Sequence, residues 1–280
     1  MDKKFEFIKK CNQIKFRYAR GKSIESGNEI HEYHEILYYM DGDATFLSEN
    51  YYEELTKGTL LIIPKGCYHS FEIKNQNLYT RLVLNFPKAC VPGDIEDIFD
   101  KISVIHNISP DIAYAITRMC RILKTEGLGS EHLLDALYRL LIAELHCLRS
   151  ESNEPARRSK GSVSLRCIEY IEGNLGRRIT ADLLASNLNI STSSLLHTFK
   201  AEMGTTLHRY ITEKRLIYAH SLIADGDKPT EVFSHCGFED YSGFYKAFFK
   251  MFGYSPSKIS KGASYFERRK SQKKKAYILY

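Results

Sequence analysis

The pattern of apolar residues changes once along this chain, near residue 92, and this change constrains the fold more than any other feature. Before it, short apolar or aromatic runs alternate with turn residues: Ile36–Met40 precedes Asp41-Gly42-Asp43, and Leu60–Ile63 precedes Pro64-Lys65-Gly66. Such punctuation is typical of short β-strands. Since no helical pattern separates the runs, a parallel α/β sheet is disfavoured. We therefore predict a β-barrel over about residues 14–90.

Beyond residue 92 the apolar residues recur at the three-to-four spacing of helices. Ser109-Pro110 is a typical helix start, with a capping serine and a proline in the first turn, and it opens two helices predicted over about 109–148. The second of them, about Glu131 to Leu148, has a broad apolar face that must be buried. It can pack against the barrel or against a second subunit, and we favour a homodimer contact.

The length of 280 residues exceeds that of one typical domain, so two domains are expected. We place the first at 1–150, a polar linker at 151–163, a helical domain at 164–262 and a basic tail at 263–280. The seven cysteines form no C-x-x-C pair and are interpreted as reduced thiols. With no apolar leader and no stretch long enough to span a membrane, we expect a cytoplasmic protein without a membrane partner.

The charge is distributed unevenly between the two parts of the chain. Residues 157–280 contain 21 Lys and Arg against 11 Asp and Glu, a net charge of +10, whereas residues 1–156 contain 19 and 23, a net charge of −4. A basic domain of this size suits a polyanionic partner, because neutralising phosphates releases condensed counterions.

Residues 180–203 have the pattern of a helix-turn-helix unit. Thr180 can cap a first helix, Asn189-Ile190 turns the chain, and Ser191 can cap a second helix from Thr192 to Met203. The residues of the first helix expected to face inward are Leu183, Leu184 and Leu188.

A similar unit follows about fifty residues later. It begins near Thr230, turns at Cys236-Gly237-Phe238 and continues in a helix capped by Asp240. An amphipathic helix, about Thr206 to Ala224, lies between the two units and can fix their separation. Two rigidly spaced recognition helices can enter successive major-groove segments roughly 34 Å apart.

The stretch from Ile168 to Lys258 resembles the AraC/XylS family of transcription regulators. The motifs that stand at the family's spacing are Tyr170-Ile171-Glu172-Gly173-Asn174-Leu175, Leu195 with Phe199-Lys200, Gly204-Thr205-Thr206, Tyr210-Ile211, Arg215-Leu216 with Ala219, Gly237-Phe238-Glu239-Asp240 and Gly253-Tyr254-Ser255-Pro256. The resemblance implies that both units dock in the major groove. The base-facing residues it implies are Ser193, Leu196, His197, Tyr241, Ser242, Gly243 and Lys246, and Lys200 and Lys250 are expected to contact phosphates.

Four departures from the family's pattern bear on the second unit and on DNA reading. Phe233 stands where Ala is usual and Pro229 where an aliphatic residue is usual, which predicts a wider helix crossing; Ile259-Ser260 replaces Tyr-Arg. Leu196 stands where many relatives carry a polar reader, and a leucine can contact only a thymine methyl group.

Residues 29–73 resemble the cupin barrel, through His31, Glu35 and Gly42 and then Gly58, Pro64, Gly66 and His69. Metal-using cupins bind an ion with two His separated by one residue, a Glu and a later His; Glu29 occupies the first His position here. We expect no cofactor and assign ligand contact to His31, Glu35, Tyr38 and His69. The set Glu29, His31, Glu35 and His69 is also a candidate metal site.

These features predict an α+β multidomain protein: a cupin-like barrel with C-terminal flanking helices, then an all-α domain with two helix-turn-helix units. The function they predict is sequence-specific DNA binding by a transcription regulator, a ligand-responsive activator of a carbohydrate-type operon. Its partners would be double-stranded DNA, a small effector such as a sugar, and RNA polymerase. We do not expect the protein to be an enzyme. The two alternative functions are that of a metal-dependent cupin enzyme and that of a non-specific architectural DNA binder.

Overall fold

Two antiparallel sheets form the first part of the chain. Their strands are β1 (Phe5–Cys11), β2 (Ile14–Arg20), β3 (His34–Asp41), β4 (Ala44–Ser48), β5 (Tyr52–Glu54), β6 (Leu60–Ile63), β7 (His69–Ile73), β8 (Thr80–Phe86) and β9 (Ser103–Ile105). The larger sheet has the order β1-β2-β8-β3-β6-β9 and the smaller the order β5-β4-β7. The predicted limits of 14–90 are too narrow, because the edge strands β1 and β9 pair with β2 and β6 outside them.

The structure is a computed structural model, and it describes residues 4–21, 29–49, 51–75, 78–125, 130–151 and 162–259. The chain divides into two compact units, residues 1–158 and 159–280. Most of the predicted linker, 151–163, and all of the predicted basic tail, 263–280, lie outside the described residues.

The larger sheet is buried on both faces, which explains its continuous apolar runs. All four residues of β6 are buried and alternate between two cores: Leu60 and Ile62 contact the core beneath the flanking helices, whereas Leu61 and Ile63 contact the core between the sheets. Because successive side chains of a strand point to opposite faces, each side chain of the central strands lies either in the core beneath the helices or in the core between the sheets.

Two helices cover the outer face of the larger sheet. The broad apolar face of the second, for which we favoured a homodimer contact, packs mainly in the core beneath this sheet instead. Helix α1 (Pro110–Lys124) begins at Ser109, whose Oγ accepts a hydrogen bond from the Ile112 amide at 3.2 Å, with Pro110 in the first turn. Helix α2 (Ser130–Glu151) follows. The residues of α2 buried against this core are Leu134, Leu137, Tyr138, Leu141, Ile142 and Leu145.

The second unit consists of helices α3 (Val163–Glu172), α4 (Ala181–Leu188), α5 (Thr192–Met203), α6 (Leu207–Asp225), α7 (Pro229–His235) and α8 (Tyr241–Phe252), followed by a 3₁₀ turn at Pro256–Lys258. The predicted α+β class and both predicted helix-turn-helix units are confirmed. Asn189 ends α4 in the left-handed conformation, with φ 56°. Thr180, Ser191 and Asp240 each accept a hydrogen bond from an amide in the first turn of α4, α5 and α8.

The core of this unit is aromatic and lies on the inner faces of α5 and α8. Phe199 and Phe244 are fully buried, and the Phe199 ring lies edge-on to Tyr210 of α6 at 5.4 Å. The prediction that Leu183 faces inward is wrong: its side chain is 38% exposed, because the short helix α4 buries Leu184 and Ala185 on its inner face instead. In the ranges that the structure describes, no helix is long and apolar enough to cross a membrane.

Candidate DNA interface and ligand cavity

The outer face of α5 carries the predicted readers of the first helix-turn-helix unit. Ser193, His197 and Lys200 are all exposed, and Leu196 is 43% exposed. An exposed leucine on an otherwise polar face suits contact with a thymine methyl group better than a hydrogen bond to a base edge.

The outer face of α8 carries four exposed residues of the second set, Ser242, Gly243, Lys246 and Lys250. The fifth, Tyr241, is half-buried because its ring lies edge-on to Phe233 at 5.8 Å. The unusual Phe233 thus occupies space beside α8 and packs against Tyr241, the first predicted reader of this helix. The Gly243 amide donates to the capping Asp240 Oδ1 at 2.7 Å.

Two exposed aromatic residues on α8 were missed by sequence reasoning. Tyr245 is 39% exposed and Phe249 is 46% exposed, and their rings stack with centroids 6.4 Å apart. The sequence signal was their spacing: Tyr245 and Phe249 each follow a residue of the buried pair Phe244 and Phe248 and, four residues apart, lie on one face of the helix. They add an apolar surface beside the exposed lysines.

Arg215 of α6 joins the two helix-turn-helix segments of the second unit through three backbone carbonyls. Its guanidinium donates to Leu175 O at 3.0 Å and to Arg177 O at 2.6 Å, before α4, and to Gly237 O at 2.8 Å, in the turn between α7 and α8. Half-buried hydrogen bonds to a charged group are worth about 1.5–3 kcal/mol each. Arg215 therefore fixes the first helix-turn-helix segment relative to the second.

A cavity of about 40 Å³ lies in the first unit. Its walls contain both charged or polar and apolar side chains, most of them from the inner faces of the sheets. The residues that line it are Arg17, Glu29, Glu35, Leu37, Phe71, Ile73, Tyr79, Arg81, Val83 and Asn85.

His31, Glu35 and His69 meet beside this cavity, as predicted, and all three are buried. His69 Nδ1 lies 3.2 Å from Cys67 O and His31 Nδ1 lies 2.7 Å from Tyr33 O. His31 Nε2 lies 3.8 Å from Glu35 Oε2. The backbone pairs Glu29 with His69, which places the fourth predicted residue here as well: Glu29 Oε2 lies 3.9 Å from His69 Nε2.

Burial favours the uncharged form of both imidazoles. It lowers the pKa of His69 to about 4, although the hydrogen bond to the Cys67 carbonyl partly opposes this shift. Burial, reinforced by the neighbouring His69, lowers the pKa of His31 well below its usual range. A neutral imidazole that donates through Nδ1 presents the lone pair of Nε2.

The prediction that Tyr38 joins this site is wrong, because the strand period places its side chain on the opposite face of β3. Glu35 and Leu37 line the cavity, whereas Ile36 and Tyr38 pack in the core beneath the flanking helices. Burial there, with Cys120 nearby, raises the pKa of Tyr38.

Sequence reasoning missed the polar residues that β8 contributes, Arg81 and Asn85. Both are buried, and Asn85 Nδ2 donates to Glu35 Oε2 at 2.6 Å. The signal was their four-residue separation within the run Arg81–Phe86, which places both on one face of a strand. Arg81 Nη1 donates to Gly21 O at 2.6 Å, while its buried Nη2 lacks a hydrogen-bond partner among the described residues.

The two units together define a DNA-binding regulator with a separate sensor domain. Residues 16–152 match the family described as AraC-like ligand binding domain, and residues 184–262 match the family described as helix-turn-helix domain. The chain belongs to the AraC family of transcription regulators, as the sequence resemblance indicated. These domains are those of a regulator and not of an enzyme.

Similar proteins cover nearly the whole chain. One is the probable transcriptional regulator LumQ of Photobacterium leiognathi, 29% identical over 88% of this chain and 97% of its own length. Another is the HTH-type transcriptional activator RhaS of Shigella flexneri, 21% identical over 93% and 97%. The solved structure of ToxT from Vibrio cholerae O395 matches 91% of this chain and 95% of its own at 12% identity, with a TM-score of 0.39.

Proposed function

We propose that this regulator reads a specific DNA sequence with α5 and α8 placed in successive major-groove segments. The observation that carries the proposal is the Arg215 clamp, because it holds two capped recognition helices in a fixed arrangement while their polar faces stay exposed. Rigid spacing turns two weak sub-site contacts into one specific site. In this proposal Lys200 and Lys250, both exposed, contact phosphates, and the exposed Lys246 reads a base edge.

We also propose that the chain acts as a homodimer through the exposed face of α2. Five residues of this face, spaced alternately by three and four, are apolar or small and exposed: Leu133, Ala136, Leu140, Ala143 and Cys147. Leu133 and Leu140 are 39% and 37% exposed, although the opposite face of the same helix is fully buried. Such spacing is that of a coiled-coil seam, and alanines at alternate positions allow close approach of a second helix.

The cavity beside Glu35 is the proposed effector site, with ligand contact by His31, Glu35 and His69. As described, about 40 Å³ is much smaller than the roughly 150 Å³ that an engineered cavity needs to hold benzene, so a sugar would require the cavity to enlarge. We further propose that the protein activates a carbohydrate-type operon through RNA polymerase. We also propose that it is cytoplasmic, because such a regulator binds DNA there.

Selection of bound sequences from a random DNA pool tests the proposed reading. The full chain, and residues 159–280 as a separate fragment, would be used at near-physiological salt. Enrichment of a motif with two sub-sites about one helical turn apart is expected, with an affinity at least roughly 10³-fold above that for random DNA. Equal affinity for all sequences would contradict the proposal and favour an architectural DNA binder.

A further inference from the structure

Two buried imidazoles in the sensor domain have an unusual hydrogen-bond arrangement. In His31 and His69, Nδ1 lies within hydrogen-bond distance of a backbone carbonyl, which makes it the protonated nitrogen and leaves Nε2 as an acceptor. Both Nε2 atoms are buried and have no hydrogen-bond partner in the ranges that the structure describes. Buried polar atoms without a partner are uncommon in folded proteins, so each requires an explanation.

The atoms that face these nitrogens are themselves acceptors. Glu35 Oε2 lies 3.8 Å from His31 Nε2, and Glu29 Oε2 lies 3.9 Å from His69 Nε2. Lone pairs that face carboxylate oxygens in a buried site repel one another unless a cation lies between them. The separations exceed hydrogen-bond length but suit two donors of one ion, which can lie up to roughly 4.2 Å apart when each is about 2.1 Å from the metal.

The surroundings of the cluster also fit a metal site. A ligating histidine commonly donates its other ring N–H to a backbone carbonyl, and a ligating carboxylate is commonly held by a further hydrogen bond. Here Asn85 Nδ2 donates to Glu35 Oε2 at 2.6 Å. The Gly66 amide, in the turn before β7, donates to the His31 carbonyl at 2.8 Å and fixes the segment that carries His31.

We propose that the sensor domain holds one divalent first-row transition-metal ion through His31 Nε2, His69 Nε2 and the Glu35 carboxylate. The ligand atoms of these three residues lie within 4.8 Å of one another, so the widest pair must close by up to about 0.6 Å when the ion binds. Two imidazoles and a carboxylate suit such ions and leave coordination positions open. Glu29 is a nearby further donor. The inference deepens the effector site proposed above and rests on that assignment for its regulatory meaning, whereas metal binding itself is independent of DNA.

The size of the cavity agrees with an ion better than with a sugar. Glu35 lines the cavity but His31 and His69 do not, so an ion bound by these three residues would lie at the cavity wall, and about 40 Å³ leaves room for one or two waters beside it. Arg81, whose buried Nη2 lacks a partner among the described residues, lies in the same cavity and can bind an anionic ligand beside the ion. A regulator with this arrangement would respond to the ion or to a small chelating anion.

Metal binding by the full-length protein tests the inference. The chain would be stripped with a chelator and titrated with Zn²⁺, with stoichiometry measured by elemental analysis after gel filtration, and with Co²⁺, whose visible spectrum reports nitrogen and oxygen ligands. We expect one equivalent per chain and no cobalt–thiolate band. At a hundredfold excess over Kd, Zn²⁺ is expected to raise Tm by roughly 5–10 °C.

Substitutions at the cluster separate this site from adventitious binding. Glu35→Gln and His69→Gln are expected to weaken Zn²⁺ binding by at least about 100-fold and Asn85→Ala by about 10–100-fold. His132→Gln, an exposed histidine of α2, is the matched control and should bind normally. Should His69→Gln fail to fold, the near-isosteric Glu35→Gln still decides.

Two results would overturn the metal site: no stoichiometric Zn²⁺ or Co²⁺ in the folded protein, or unchanged binding in folded Glu35→Gln. Neither result bears on DNA reading, because the selection experiment measures the other unit. Conversely, a chain that binds one metal ion but shows no DNA sequence preference would retain the metal site and refute the proposed reading.

Discussion

The guanidinium of Arg215 lies against Gly237: its Nη1 donates to the Gly237 carbonyl at 2.8 Å, and a Cβ atom at Gly237 would lie 2.7 Å from Arg215 Cζ. The same Cβ would lie 2.6 Å from the Leu175 carbonyl oxygen. Gly237 also has φ +79°, which favours glycine. The two helix-turn-helix units are thus joined at a point where no side chain fits.

Replacing Gly237 by Ala should destabilise the DNA-binding unit by about 2–4 kcal/mol, since it combines a left-handed backbone with two close contacts. Thermal or urea unfolding measures the change. Gly173→Ala is the control, because its Cβ would lie 3.7 Å from the nearest atom, the Glu169 carbonyl oxygen, and its φ of −75° suits any residue. Equal stability of the two variants would show that Arg215 and Leu175 move aside without cost.

Lys246 and Lys200 should affect DNA binding differently. If Lys246 reads a guanine, Lys246→Ala lowers affinity for the selected site by about 1–3 kcal/mol and relaxes preference at one position. Lys200→Ala, which removes a phosphate contact, should weaken selected and random DNA alike and reduce the salt dependence. Titrations of both variants on both DNAs at two salt concentrations measure these effects. Unaltered binding by both would mean that the outward faces are misassigned.

Local signals predicted the helical half of this protein well. Ser109, Ser191 and Asp240 were identified as caps because a short polar side chain before an apolar period satisfies the free amides of a helix start, and each accepts such a bond. The prediction that Leu183 faces inward was wrong because an eight-residue helix is too short for its apolar spacing to distinguish neighbouring faces. Whether Leu183 is buried depends on which helices pack around α4, and the spacing of apolar residues gives no information on that.

The candidate ligand site was predicted only in part, for a reason specific to strands. His31, Glu35 and His69 were found through their spacing, but Tyr38 was assigned to the wrong face because a run of consecutive apolar residues hides the inward and outward alternation. Arg81 and Asn85 come from β8, which pairs with β3 although about 40 residues separate them. Such a contact depends on sheet order, which no local pattern of this chain reveals.

The dimer proposal predicts that Leu140→Glu yields a monomer with unchanged fold. A charge in the centre of the exposed α2 face opposes pairing of two such faces, while the monomer keeps its fold because Leu140 is 37% exposed and lies outside the buried face of α2. Light scattering coupled to gel filtration measures the mass. Tyr52→Glu, at a residue 64% exposed on β5, is the control. A wild-type monomer, or a dimer insensitive to Leu140→Glu, would exclude this interface.

The cysteines are expected to differ in their rates of alkylation. Burial raises the pKa of Cys120 and of Cys236 to about 12, although Lys124 and Arg215 respectively oppose the shift. A thiol with that pKa is ionised to only about 1 part in 10⁵ at pH 7, and the thiolate is the reactive form. Both should therefore resist alkylation in the native protein and react in denaturant.

Cys147, which is exposed at the end of the α2 face, should be alkylated first at pH 7.5, as measured by mass spectrometry of timed samples. If α2 pairs in solution, alkylation should be slower at concentrations where the dimer forms and faster in Leu140→Glu, because that variant uncovers the face. A rate independent of both concentration and Leu140→Glu would place Cys147 outside any interface. Rapid native alkylation of Cys236 would instead indicate opening of the turn that Arg215 holds.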